Sequence, residues 1–154
     1  MSKLRTKPEM PLMWLFSALF LICIASACGG KNAQEGQELH ALEEEVMEIH
    51  DEVMPRMSEI NKLIKRLEES YGSEELDTAL LDRVLYHKNA LIEADSLMWA
   101  WMHGYQPPAR DGNPDSIRRY LTLERDKVFV VREKMLSSIT NANKLIQKLT
   151  PDVR

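Results

Sequence analysis

The sequence predicts an all-α fold, an elongated, coiled-coil-like antiparallel three-helix bundle behind a cleaved N-terminal signal peptide. Three observations carry this. Three long stretches repeat apolar residues at alternating spacings of three and four, the period of a coiled-coil seam. No stretch alternates apolar with polar residues at the period of two that a half-buried strand needs. The N-terminus has the layout of an export signal, so it stands outside the fold.

That layout begins with a basic start, Lys3, Arg5 and Lys7, and continues with the apolar run "PLMWLFSALFLICI" from Pro11 to Ile24. The run is short of the roughly 20 apolar residues that span a bilayer. It ends in "ASAC", Ala25 to Cys28, the small residues and cysteine of a bacterial lipobox, in which cleavage before the cysteine leaves a lipid-bearing N-terminus. Ala25 stands where such signals usually place Leu, and Ala25–Ser26–Ala27 would also suit ordinary signal peptidase. Either enzyme cuts after Ala27, so residues 1–27 read as signal peptide and Cys28 as the lipidation site. Cys23 lacks small residues before it.

Cleavage removes 27 of 154 residues and leaves 127, the size of one domain. Losing Lys3, Arg5, Lys7 and Glu9 takes away two net positive charges, so −4 becomes −6. A net acidic chain without a basic block argues against nucleic acid as partner and against electrostatic adhesion to anionic lipid. Membrane attachment then rests on lipid at Cys28, and stable anchoring takes more than one acyl chain. With Cys28 the one cysteine left after processing, no intrachain disulfide forms, and the apolar core alone must hold the fold.

Residues 28–37 read as lipidated cysteine and flexible tether, and residues 38–154 as the bundle. The first helix is expected over about 38–71, with seam residues Leu39, Leu42, Val46, Ile49, Val53, Met57, Ile60, Ile64, Leu67 and Tyr71. Between Ile49, Val53 and Met57 the spacing is four and then four, a stutter that locally unwinds a coiled coil. Pro55 lies there, and a mid-helix proline costs about 3 kcal/mol. Gly72 suits the stop and Ser73 the next N-cap. The second helix, about 74–103, has Leu80, Val84, His87, Leu91, Ala94, Met98, Trp101 and Tyr105 on its seam, and Gly104 suits its end. After the loop "YQPPARDGNP", Asn113 as N-cap and Pro114 at the first helical position open the third helix, about 114–149. Its seam is Ile117, Leu121, Glu124, Val128, Val131, Met135, Ser138, Ala142, Leu145 and Leu149, and Pro151 ends the pattern. Short links favour an up-down-up course. A dimer completing a larger bundle, or a break in the first or second helix giving four, are the alternatives.

With the links centred near Gly72 and residue 109, His50 lies level with Asp95 and Glu124. These three form an expected buried polar layer beside the stutter. A buried carboxylate needs a partner, and His50 is the expected one for Glu124. His50, Met54 and Met57, with Met98 and Met102, make an alternative site for a soft metal such as Cu(I), which imidazole and thioether ligands suit. The plainer reading is methionine as core filler. Trp99 points away from the seam; it packs on the "QPPARD" loop or serves as a partner-binding anchor. No Gly-rich phosphate loop, mature free thiol or Ser-His-Asp set points to catalysis.

The stretches "HDEVMPRM", His50 to Met57, and "ADSLMWAWMHGY", Ala94 to Tyr105, resemble small Bacteroidota lipoproteins with an "HDEVMPKM" motif and a "WMH" motif, sometimes labelled viral A-type inclusion protein. Arg56 replaces the family's usual Lys. The resemblance implies a lipoprotein helical bundle and no particular activity. Gly29 after the cysteine is not the Asp that resembles an inner-membrane retention signal, so the outer membrane is favoured. The reading is therefore a non-enzymatic, lipid-anchored envelope module with a protein partner.

Overall fold

The computed structural model describes residues 29–70 and 77–149. Residues 1–27, expected to be a signal peptide, and Cys28, Tyr71 to Ser73 and Pro151 lie outside the described residues. Every described element is helical: α1 (Gly29–Val53), a 3-10 turn (Met54–Arg56), α2 (Met57–Glu69), α3 (Thr78–Gly104) and α4 (Pro114–Leu149). Among the described residues no helix is long and apolar enough to cross a membrane.

The chain divides into two compact units, residues 1–38 and 39–154. In the first, the segment expected to be a tether is helical from Gly29 onward. Ala33, Gln34, Glu35, Gln37 and Glu38 are good helix formers, and extending an existing helix by one residue is far cheaper than nucleating one. The Gln34 side-chain amide donates to Glu38 Oε1 at 3.3 Å, one turn on.

The second unit packs α2, α3 and α4 against one another. Its core is Val46 and Val53 of α1, Met57, Ile60, Leu63 and Leu67 of α2, Val84, Leu91, Ala94, Met98 and Trp101 of α3, and a long inner stripe of α4. On α4 the expected seam from Leu121 to Leu145 is buried at every position, and Ile139 and Ile146 widen it. Leu63 is likewise buried beside the expected α2 seam. The inner faces are thus broader than a two-residue heptad seam, as globular helix packing requires. Asn113 caps α4 as its sequence predicts, accepting from the Ser116 N–H at 3.1 Å. Helix α3 opens at Thr78, where the Asp77 carboxylate accepts from the Leu80 N–H at 2.7 Å.

Pro55 sits where the helical run tightens into the 3-10 turn, with Val53 and Met57 on either side both in the right-handed helical region. Val53 (φ −105°, ψ −15°) ends α1, and Pro55 falls in the first turn of the next segment. The Ser58 hydroxyl donates to Pro55 O at 3.1 Å, and Arg56 pairs with Glu59 at 2.7 Å.

Cross-helix polar pairs record how the helices face. Arg125 meets Glu45, Arg132 grips Glu52 through two hydrogen bonds of 2.6 and 3.0 Å, and Asn143 reaches Glu59, so numbers rise together along α1–α2 and α4. Trp101 meets Glu124 and Glu93 meets Lys134 across α3 and α4.

Candidate functional site

The one strongly buried acid of the described residues, Glu124, organises a polar and aromatic layer where α1, α3 and α4 meet. Its Oε2 accepts the Trp101 indole N–H at 3.1 Å, and its Oε1 pairs with Lys127 Nζ at 2.7 Å, one turn along α4. Both oxygens are satisfied, as a carboxylate buried this deeply requires. The carboxylate in turn holds the Lys127 ammonium above its ordinary range, although that lysine is exposed.

Around this contact runs a chain of rings. The imidazole of His50 lies 5.5 Å from the Trp101 ring, Trp101 stacks on Tyr105 at 5.1 Å, and Tyr105 on Tyr120 at 6.3 Å. Trp101 and Tyr105 come from the last turn of α3, where Gly104 ends the helix and the Tyr105 N–H bonds Trp101 O at 2.8 Å. The Tyr120 hydroxyl accepts the Gln106 N–H at 2.9 Å and pins the following loop. Tyr105 has a buried hydroxyl without a partner among the described residues. Burial pushes it up to about 12, with Glu43, Tyr120 and Glu124 adding to the effect.

Beside the layer lies an open groove of about 710 Å³ between α3 and α4. Leu97, Ala100 and Gly104 form one wall and Leu123, Val130 and Val131 the other, with Trp101 and Glu124 also lining it and the charged Asp126, Lys127 and Lys134 standing among the α4 residues. Leu123 and Val130 are more than half exposed. Ala100 and Gly104, one turn apart, are small, and nothing lies within 4 Å of where a Cβ on Gly104 would stand.

The expected polar layer is thereby corrected. Glu124 is buried, but its partners are Trp101 and Lys127 rather than His50 or Asp95. His50 pairs with its neighbour Asp51 at 2.8 Å. Asp95 has a buried Oδ1 with no partner among the described residues, and burial raises its carboxyl above the ordinary range. The error is one of height. Trp101, six residues beyond Asp95, takes the place opposite His50. Side chains tilt toward the N-terminus of their own helix, so residues that touch across two helices are not at equal height along them. The link between α2 and α3 is also longer than a turn centred on Gly72, since α3 opens at Thr78.

Of the expected metal residues, Met57 and Met98 are buried in the core, and Met54 and Met102 pack against it. Among the described residues no group of three or more His, Cys, Asp or Glu side chains could hold a metal ion. Trp99 is half exposed with its ring 5.8 Å from His103, whose Nδ1 bonds Trp99 O at 2.7 Å. The polar hold on the loop comes from Tyr120, which sequence reasoning missed. Trp101 and Tyr105 were legible as seam residues, but not as Glu124's donor and its stacking neighbour. The sequence matches no family model, no curated protein and no solved structure.

Proposed function

We propose that this chain is a lipid-anchored, non-enzymatic interaction module of a bacterial cell envelope, its helices running up-down-up in antiparallel order. It is held by lipid on Cys28, with the outer membrane favoured, and binds an apolar segment of an envelope protein along the α3–α4 groove. The groove is the observation that carries the partner reading: apolar walls, an unusually exposed Leu123 and Val130, and small residues at Ala100 and Gly104 that leave room for a second backbone. The Trp101–Glu124–Lys127 contact stiffens its floor. The antiparallel order is supported by the sequence of cross-helix pairs, and the anchor by "ASAC" ahead of a polar, net acidic chain.

The test uses the full-length chain in native envelopes, with a photoreactive residue placed at Ala100. One discrete protein adduct is expected, lost when Leu123→Glu is added and missing when the photoreactive residue sits at exposed Lys62 instead. Equal labelling from both positions, or none from either, overturns the groove. Separately, Cys28→Ala should release the chain or leave it unprocessed, and a cleaved yet membrane-bound variant overturns the anchor.

A further inference from the structure

Helix α3 carries a second seam on its outward face. Leu85, Ile92 and Trp99 are 38%, 42% and 50% exposed, seven residues apart, each one position past a buried seam residue, Val84, Leu91 or Met98. One residue on a helix is a rotation of about 100°. Between them, at alternating spacings of four and three, stand exposed Asn89, Ser96 and His103. Single exposed apolar side chains are ordinary and need no account. Three large ones in heptad register set out a d row, Leu85, Ile92 and Trp99, with polar Asn89, Ser96 and His103 at the a positions.

We infer that this seam pairs with the same seam of a second copy, α3 against α3, in parallel about a twofold axis. The seam is complementary to itself. In a parallel pair each layer meets its own counterpart. Asn89 then faces Asn89, and an amide both donates and accepts, so the layer can satisfy itself. A polar Asn at an a position sets register and favours two strands. The flanks agree in sign. Lys88 precedes an a residue and Glu93 follows a d residue five positions on, which is the pair that meets across a parallel interface. Within one chain Lys88 pairs with Glu68 and Glu93 with Lys134, and the interface would add to these pairs rather than replace them. An antiparallel pair matching apolar d to polar a layers would set Glu93 against Glu93. A twofold axis along α3 also keeps each residue level with its counterpart, so two lipid anchors would enter one membrane surface.

The test is cysteine cross-linking of the full-length chain in native envelopes, in a Cys23→Ser background. Leu85→Cys and Ile92→Cys, each alone, should give a dimer of this chain under mild oxidation, several-fold more than Leu123→Cys in the α3–α4 groove. Adding Trp99→Glu should reduce the Ile92→Cys dimer several-fold. Cross-linking no greater at Leu85→Cys and Ile92→Cys than at Leu123→Cys overturns the proposal. So does a dimer that forms only when Ile92→Cys and Ser96→Cys chains are mixed, which reports the antiparallel pair. An adduct with a different protein overturns the second copy as occupant. Ala100 flanks this seam at an e position, so an Ala100 adduct of the chain with itself reports the second copy, whereas one with a different protein, lost with Leu123→Glu, reads the groove.

Discussion

The Trp101 indole N–H, on α3, donates to Glu124 Oε2, on α4, at 3.1 Å across the buried interface. Each group is the other's reason for tolerating burial. An isolated carboxylate in a heptad seam invites replacement by Leu, which is often neutral or stabilising. Here that replacement leaves the Trp101 N–H without its acceptor, and an unsatisfied buried donor costs about 1–3 kcal/mol. Glu124→Leu is therefore expected to destabilise. Trp101→Phe should do so as well, by leaving Oε2 bare. The double variant should lose less than the sum of the two, with a coupling of about 0.5–3 kcal/mol in a urea-unfolding cycle. Strict additivity would show that the hydrogen bond does not operate in solution.

How far the sequence reached is clearest on α4. Its heptad is regular, so burial from Leu121 to Leu145 follows from spacing alone, Glu124 and Ser138 included. Where the period breaks, at Val53 to Met57, the sequence located the irregularity without its form. A proline in a helical pattern reads as a kink, and the form it takes here is a 3-10 turn, Met54–Arg56, within the helical run. The pairing of Glu124 was out of reach for a different reason. Height matching across helices accumulates error from loop length and side-chain tilt, and six residues separate Asp95 from Trp101, the residue that faces His50. Lys127 and Tyr120 contribute through local and loop contacts that no periodicity reports.

Asp95 and His87 give opposite pH dependences. Burial raises the Asp95 carboxyl above 3.8, so the folded chain binds this proton more readily than the unfolded one. Its contribution is complete below 3.8 and is lost as pH rises through the raised value. Burial, aided by Arg83, lowers His87 below 6.5, so its contribution is complete above 6.5 and is lost as pH falls through the lowered value. Asp95→Asn should raise the urea midpoint near neutral pH and give no such gain below 3.8. His87→Gln should flatten the acid side of the profile under 6.5. A gain from Asp95→Asn that is the same at both pH values would place its cause outside the carboxyl's titration.

The methionines pose a test of packing against ligation. Met57 and Met98 are core residues and Met54 lies against the core. Leu for Met conserves volume and usually costs less than about 1.5 kcal/mol. Met54→Leu with Met57→Leu is expected to keep the chain folded with a small shift in midpoint. A Cu(I) titration of the parent and the variant under reducing conditions should give the same curve. Saturable one-to-one binding by the parent, lost in the variant and in His50→Ala, would instead establish the soft-metal site.

Pro55 offers the last test. If it interrupted a helix that packing wants continuous, Pro55→Ala would recover about 3 kcal/mol. Instead Pro55 sits in a 3-10 turn, whose φ its ring suits. The stutter in the seam already requires a change of phase there, so that Val53 and Met57 both reach the core. With the turn kept by the packing, removing the ring chiefly loosens the unfolded chain, an effect of about 0.4–1 kcal/mol against the fold. Pro55→Ala is expected to lower the unfolding midpoint slightly and leave helix content by circular dichroism nearly unchanged. A stability gain of several kcal/mol with added helix signal would show that the break is imposed by the proline rather than by the packing.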